Sequence, residues 1–271
     1  MIKKRIISLM ALAIVLTATG LFAQGAYVSL NTGYSFSTGS QNIGTTSYIN
    51  DGSNTNLYKN EDYSFGKGIH YGGAVGYMIT KNIGAEIGLS YLTSDNTTFT
   101  SSLVNGSTNV KFTSDMLRVI PSIVIASGME GINPYARFGL IIGSGSIIEH
   151  DNLTLNPDNW LQSQKLNGGL AYGLAASVGV LFKLTNKISL FGELSMINMS
   201  YAPTKGEITA YSFNGIDRLS SLVNRDRLTD FVESFSENSN QTTAETVPGK
   251  SLKQKYPFDS VGLNIGLKYN L

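Results

Sequence analysis

The chain contains no cysteine and only two histidines among its 271 residues. The absence of cysteine excludes disulfides, thiolate nucleophiles, cysteine metal sites and an acylated N-terminal cysteine. Charged residues make up only 14% of the chain. After the first 23 residues, no apolar run approaches the roughly 20 residues of a membrane-spanning helix. These absences argue against a disulfide-stabilised scaffold and against a helical membrane protein.

The first residues resemble a secretory signal peptide. Basic MIKKR is followed by the apolar run IISLMALAIVLTATGLF and then by small residues. We predict cleavage after Ala23, with Gly25 as the alternative, and export by the Sec pathway. The predicted organisation is therefore a signal peptide over 1–23 and one domain over 24–271, with an N-terminal membrane anchor as the open alternative. Removal of Lys3, Lys4 and Arg5 leaves 17 of the 20 basic residues against 19 acidic ones, which is not the composition of a nucleic-acid-binding protein.

Eight segments of about ten residues alternate apolar side chains with small or polar ones. In VGLNIGLKYNL, for example, Leu263 and Ile265 share one face of a strand, while Asn264 and Lys268 share the other. A membrane protein without spanning helices can satisfy its backbone only as a closed barrel. We therefore predict an all-β fold, an eight-stranded antiparallel up-and-down transmembrane β-barrel, in which Pro121 interrupts one hydrogen-bond ladder. The eight segments are 26–36, 68–80, 83–92, 114–126, 134–145, 168–184, 188–197 and 261–271.

Short and long connections alternate strictly between these segments. The pattern predicts short periplasmic turns and long external loops. A soluble β-sandwich would have no reason to sort its loops in this way, and an extra hairpin in the last long loop would make ten strands. The short connections are 80–82, 127–132 and 185–187, and the long ones are 38–66, 93–111, 147–167 and 202–257.

Aromatic residues cluster near both ends of the predicted strands. We expect them to form the two interfacial girdles of a membrane barrel. The external girdle would contain Tyr34, Phe36, Tyr71, Tyr91, Tyr172 and Tyr201, and the periplasmic girdle Tyr77, Phe182 and Tyr269. A weak repeat relates 75–91 to 178–196, since both read as strand, tight turn and strand with a glutamate on the polar face. Shared constraints on two hairpins explain it more simply than duplication does.

The polar faces carry a charge cluster that we place in the lumen. An eight-stranded barrel is just wide enough for its side chains to fill it, so buried charges must pair. We interpret the cluster as an internal ion-pair plug, with a charged pore lining as the alternative, and we place Lys183 and Lys268 near the periplasmic rim. The cluster consists of Glu86, Arg118, Arg137 and Glu193.

The sequence favours no catalytic, cofactor or metal site. His70 near the external end of its strand, or His150 in the third loop, could serve a serine hydrolase, but serines and acids are common enough to accompany them by chance. Glu149, His150 and Asp151 are consecutive and do not converge on an extended chain. We predict a protein that is not an enzyme.

Two of the long loops carry local structural signals. Apolar residues at helical spacing over 217–235 favour a short amphipathic helix, with Asp217 at its start, and a plain surface loop is the alternative. Asn105-Gly106 predicts the tip of a hairpin that extends two strands beyond the membrane.

The sequence resembles the small outer-membrane β-barrel family, the OmpA/OmpX-like or "porin family" barrels of Gram-negative bacteria and especially of Bacteroidota. The matching features are LFAQ, the eight alternating segments, NPYARFGLIIGSG and GLNIGLKYNL. The resemblance implies location in the cell outer membrane, contact with its lipid and lipopolysaccharide, and a C-terminal strand read by the barrel-assembly machinery. That strand ends in Leu271 where the family usually has an aromatic residue, and Tyr269 would take the aromatic role.

The resemblance leaves several functions open. We predict a structural or surface-interaction role through the external loops with a largely plugged lumen. The alternatives are a narrow porin-like channel for ions or small solutes and an outer-membrane lipid-modifying enzyme. The sequence identifies no extracellular ligand.

Overall fold

The structure is a computed structural model, and it describes residues 25–38, 46–50, 56–60, 63–103, 105–236 and 244–271. The predicted signal peptide lies outside the described residues. Helical structure within them consists of a 3-10 turn at Leu219–Ser221 and one turn of α-helix, α1, at Asn224–Arg227. Neither helix is long or apolar enough to be a candidate membrane span. The strands are β1 (Ala26–Ser37), β2 (Thr46–Asn50), β3 (Asn56–Asn60), β4 (Gly68–Met78), β5 (Ile83–Ser94), β6 (Thr97–Leu103), β7 (Gly106–Ala126), β8 (Ile132–Leu155), β9 (Asp158–Asn167), β10 (Ala171–Lys183), β11 (Ile188–Tyr201), β12 (Lys205–Phe213), β13 (Ile216–Asp217), β14 (Leu228–Val232), β15 (Gly249–Leu252), β16 (Tyr256–Pro257) and β17 (Ser260–Asn270).

Eight of these strands close into an antiparallel barrel, as predicted. Their order around the barrel is β1, β4, β5, β7, β8, β10, β11 and β17. Strand β17 pairs with β1 over eleven positions, from Tyr27 opposite Asn270 to Ser37 opposite Ser260. The segment VGLNIGLKYNL is therefore the strand that seals the barrel.

The two faces of each barrel strand separate apolar from polar side chains. Leu263 and Ile265 on β17 are 60% and 56% exposed, whereas Glu193 on the neighbouring β11 is 6% exposed. The exposed apolar side chains form the outer band that contacts lipid in barrels of this kind. The polar faces turn inward and fill the lumen, because strand alternation leaves them no other side.

Pro121 interrupts one ladder of the barrel wall, as predicted. The β7–β8 pairing passes from Val119 opposite Ile142 to Ser122 opposite Gly139, and the two positions between them are unpaired. Proline has no backbone N–H to donate at this point. The pairing of β7 with β5 continues through Pro121, so the wall stays closed.

The asymmetry between the two ends of the barrel matches the prediction, but the described parts of the long connections contain several further strands. Strands β7 and β8 have 21 and 24 residues, well beyond the roughly 9–11 that span a bilayer. Beyond the barrel they are part of a layer of paired strands in the order β6–β7–β8–β9–β12–β14–β15, which we call the external sheet. The separate β2–β3 hairpin lies beside β6.

The predicted helix over 217–235 is reduced to the 3-10 turn at Leu219–Ser221 and the single turn of α1 at Asn224–Arg227. Residues Leu228–Val232 form β14, which pairs with β12 and, in parallel, with β15. Phe231 packs against buried residues at the barrel mouth. Tertiary burial thus overrides the helical spacing. Asp217, which was predicted to lie at the start of a helix, lies beside the 3-10 turn. Its Oδ1 accepts a 2.8 Å hydrogen bond from the Leu219 amide.

Two further local predictions need adjustment. The hairpin near Asn105 is confirmed, but Leu103 pairs with Gly106, so Gly106 begins β7 instead of occupying the connection. Tyr201 does not join the external girdle. It is fully buried, and its hydroxyl, which has one proton to donate, lies within hydrogen-bond distance of the carbonyls of Gly145 at 2.8 Å and Gly168 at 2.7 Å.

Candidate functional site

An ion-pair network crosses the middle of the lumen. Arg137 on β8 lies between two glutamates from opposite parts of the wall. Its Nη1 donates to Oε1 of Glu86 at 2.5 Å, and its Nη2 donates to Oε2 of Glu193. Its Nε reaches the Ser177 hydroxyl at 3.3 Å. The exposed fractions of the Arg137, Glu86 and Glu193 side chains are 15%, 5% and 2%, so these charges are shielded from bulk water.

A tyrosine supports each glutamate from two strands away in the barrel wall. The Tyr27 hydroxyl donates to Oε2 of Glu86 at 2.8 Å, and the Tyr135 hydroxyl donates to Oε2 of Glu193 at 2.8 Å. Asn264 donates from Nδ2 to Oε1 of Glu193 at 2.9 Å. Each carboxylate is thus held by the guanidinium and at least one further donor, which offsets the cost of burying its charge.

Each tyrosine ring reaches its glutamate across a glycine. A Cβ on Gly76 would lie 2.3 Å from Cζ of Tyr27, and a Cβ on Gly179 would lie 2.8 Å from Cζ of Tyr135. Gly76 pairs directly with Glu86, and Gly179 pairs directly with Glu193.

This geometry explains the weak repeat between 75–91 and 178–196. Both hairpins place a glycine on the first strand opposite a glutamate on the second, and both accommodate a tyrosine from the preceding strand. The repeat reflects a shared packing requirement, and the sequence pattern contains its glycine and glutamate but not the tyrosine.

Replacing Gly76 by alanine should therefore destabilise the barrel. The new methyl group must displace the Tyr27 ring and break its bond to Glu86, at a cost of about 1–3 kcal/mol for such overpacking. Gly192→Ala is the matched control, because a Cβ there meets no atom of the described residues within 4 Å. Urea unfolding in detergent micelles measures both changes. Equal unfolding midpoints for the two variants would contradict this account of the tyrosine.

The fourth residue of the predicted cluster lies apart from the other three. Arg118 is fully buried in the upper lumen, on β7. Its Nη2 donates to the Ser90 hydroxyl at 2.8 Å, and within the described residues it forms no ion pair. The structure thus brings together Glu86, Arg137 and Glu193 and leaves Arg118 without a carboxylate.

A chain of hydrogen bonds runs from Glu193 through Asn264 and His70 to Ser35. Nδ2 of Asn264 is committed to Glu193, so its Oδ1 faces His70 and accepts from Nε2 at 2.7 Å. His70 Nδ1 is then the acceptor for the Ser35 hydroxyl at 3.2 Å. This contact has the elements of an activated serine, but Ser35 is 1% exposed and faces the lumen.

The two rim lysines differ in their surroundings. Nζ of Lys268 lies 3.5 Å above the centre of the Tyr27 ring, which is a cation–π contact. Lys183 is exposed at the other side of the same opening. Together with the ion-pair network they border a cavity of about 300 Å³ at the periplasmic end.

An aromatic cluster closes the external end of the lumen. We call it the mouth cluster, and its fully buried centre contains Phe65 and Phe258, whose ring centroids are 5.8 Å apart. The two rings come from different loops that bond to each other, because the Phe65 amide donates to the Pro257 carbonyl at 2.9 Å. The aromatic members of the mouth cluster are Tyr63, Phe65, Phe99, Phe112, Tyr201, Phe231, Tyr256 and Phe258.

Sequence reasoning missed this cluster. The available signal was the shared spacing of Tyr63-Ser64-Phe65 and Tyr256-Pro257-Phe258, which place two aromatic residues in otherwise polar loops. Paired loop aromatics of this kind indicate burial, because single exposed ones would be unfavourable.

The segment around His150 carries no converging site. His150 faces outward on β8 and contacts the Ser163 hydroxyl at 2.8 Å. Glu149 and Asp151 point to the opposite face of the same strand. In the described part of the chain, no group of three potential metal ligands comes together.

Glu149 and Asp151, on the inner face of the external sheet, both have raised pKa values. Burial raises the pKa of Glu149 to about 7, and the neighbouring Asp151 carboxylate adds to the rise. Burial also raises the pKa of Asp151. It raises the pKa of Tyr256 to about 12, and the charge of Glu149 adds to that shift.

The Glu149 shift predicts a pH-dependent external sheet. The folded state holds this proton more tightly than the unfolded chain does, so the contribution to stability is complete below about pH 4.5 and is lost as pH rises through about 7. Glu149→Gln should remove the loss. Amide hydrogen exchange of the β8–β9 hairpin, corrected for intrinsic rates, should show lower protection at pH 8 than at pH 5 in the parent but not in Glu149→Gln. His150→Gln, the control, should keep the parent's dependence, and a parent without any dependence would contradict the assignment.

The closed antiparallel barrel, its apolar outer band and its charged lumen define an integral outer-membrane β-barrel protein. The chain belongs to the outer membrane protein beta-barrel domain family, which matches residues 6–216. Its location is accordingly the outer membrane.

Several solved outer-membrane barrels are similar to the chain. Neisserial surface protein A is 10% identical, with 92% of this chain and 98% of that one covered and a TM-score of 0.36. Ail, the attachment invasion locus protein of Yersinia pestis, is 12% identical, with 91% and 99% covered and a TM-score of 0.33. A major outer membrane protein from Thermus thermophilus is 15% identical, with 91% and 99% covered and a TM-score of 0.36. No curated protein matches the sequence.

Proposed function

We propose that the protein is a structural or surface-interaction component of the outer membrane, with a closed lumen and an interaction surface on its external sheet. The observation that carries the proposal is the double closure of the lumen. The Glu86–Arg137–Glu193 network crosses its middle, and the mouth cluster fills its external end. A path for solutes would have to pass both.

The order of the external connections supports a role at the surface. The external sheet extends strands of the barrel wall and packs its inner face on the mouth cluster through Phe99, Phe112 and Phe231. A preformed surface of this kind loses less conformational entropy on binding than free loops would. Contact with lipopolysaccharide and recognition of β17 by the barrel-assembly machinery remain predictions.

The channel alternative requires that both closures open. Planar-bilayer recording of the refolded protein distinguishes the two functions, and the proposal predicts no stable conductance steps. A charge-selective current in the parent that is lost in Arg137→Gln but kept in Arg227→Gln would overturn it. Arg227 is the matched control because its ion pair with Glu207, 2.9 Å long, joins α1 to β12 of the external sheet, away from the lumen.

The enzyme alternative has one supporting contact, between Ser35 and His70. A lipid would have to reach a hydroxyl that is 1% exposed beneath the mouth cluster. The geometry therefore favours a structural role for this pair, which links β1 to β4 inside the barrel.

A further inference from the structure

Arg118 is the least compensated charge of the described residues. Its side chain is 1% exposed, yet only Nη2 has a protein partner, the Ser90 hydroxyl. Nε and Nη1 have no hydrogen-bond partner in the described part of the chain. A buried charge without a counter-charge costs several kcal/mol, so this arrangement calls for a compensating group.

The nearby carboxylates are already engaged. Glu86 accepts from Arg137 and Tyr27, and Glu193 accepts from Arg137, Tyr135 and Asn264. On the external side, Met116 lies two residues before Arg118 on the same strand face and belongs to the mouth cluster's apolar surroundings. Among the residues that the structure describes, neither direction supplies a negative charge to the guanidinium.

Arg118 borders a small cavity that offers further donors. The cavity has a volume of about 80 Å³, and Asn31, Ser90 and Ser122 also line it. The Ser90 oxygen accepts from Arg118, so its own hydrogen is free to point into the cavity. The lower part of the cavity is bordered by Glu86 and Glu193, which disfavour an anion there and restrict it to the Arg118 end.

We propose that the upper lumen binds one chloride-sized monovalent anion, held by Nε and Nη1 of Arg118 and by the Ser90 hydroxyl. The anion supplies the counter-charge that the described residues lack at this level. The cavity admits a halide with a few water molecules and is too confined for a larger organic anion. The site is independent of the proposed surface function.

The test compares chloride with gluconate at constant ionic strength. The protein is refolded into detergent micelles in each salt, and its urea unfolding midpoint is measured over a range of chloride concentrations. Because the anion binds only the folded state, the parent midpoint should rise with the logarithm of chloride concentration. Arg118→Gln should have a midpoint independent of chloride, whereas Arg227→Gln should behave as the parent does.

A second variant keeps the charge and removes the Ser90 hydroxyl, which is both a proposed ligand and the hydrogen-bond partner of Arg118 Nη2. Ser90→Ala should shift the chloride dependence to about tenfold higher concentration, as expected for one lost hydrogen bond to an ion. Crystals of the parent grown in bromide should show anomalous scattering beside Nε and Nη1 of Arg118. Chloride independence of the parent, equal dependence in Arg118→Gln, or bromide found only on the protein surface would overturn the proposal in favour of water in this cavity.

Discussion

Replacing Arg137 by methionine is expected to lower the stability of the barrel by about 3–5 kcal/mol, the usual cost of removing one partner from a buried ion pair. The two glutamates would remain in the lumen with 5% and 2% of their side chains exposed and without a cation between them. Methionine keeps the flexibility and much of the volume of the side chain, so the loss reports the charge and not a cavity. The urea unfolding midpoint in detergent micelles measures the change.

Two further variants define what the Arg137 result means. Arg227→Met removes an ion pair whose side chains are 39% and 42% exposed, and it should cost less than about 1 kcal/mol. Adding Glu86→Gln and Glu193→Gln to Arg137→Met should recover much of the lost stability, since a neutral, hydrogen-bonded lumen has no charge left to compensate. If the triple variant were no more stable than Arg137→Met, electrostatics would not be the cause.

Phe258→Ala should open the mouth cluster at a cost of about 3–5 kcal/mol, as for other fully buried aromatic side chains. Phe258 is 0% exposed and packs edge-on against Tyr201, with 6.1 Å between the ring centroids. Its loss leaves a cavity between the two docked loops. The network around Arg137 lies below, so the variant should become permeable only as far as the upper lumen and should not conduct ions.

The absence of native cysteine permits a direct measurement of this opening. Ser35→Cys places a thiol beneath the mouth cluster, where the parent serine is 1% exposed. A membrane-impermeant thiol reagent added outside should label it slowly in the parent background and rapidly with Phe258→Ala. Ser220→Cys, on the exposed surface of the last external connection, should label rapidly in both backgrounds. Rapid labelling of Ser35→Cys in the parent background would show that the cluster does not close the lumen.

The barrel could be predicted because the alternation of apolar and polar residues is a local property of each strand. Alternation along each strand determines which side chains contact lipid. The gap in the hydrogen-bond ladder at Pro121 was also predicted correctly. The alternation of short and long connections followed from the positions of the same eight segments in the sequence. The lumen position of Glu86, Arg137 and Glu193 followed from their place on the polar faces.

The arrangement within the lumen and above it was not predictable in the same way. Arg118 and Arg137 occupy equivalent polar-face positions in sequence, yet only Arg137 lies level with both glutamates, because strand tilt and register determine height in the barrel. The segment around Phe231 has helical spacing, but pairing with β12 and burial against the mouth cluster make it a strand.

The sequence alone predicted an eight-stranded barrel with charges inside, since period-two alternation and the need for backbone hydrogen bonding in lipid favour a closed barrel. Only the tertiary structure decided which charges meet, which arginine stays without a carboxylate and how two distant loops close the mouth. Those outcomes depend on contacts between residues far apart in the chain, such as Phe65 with Phe258 and Glu86 with Arg137, for which local periodicity carries no information.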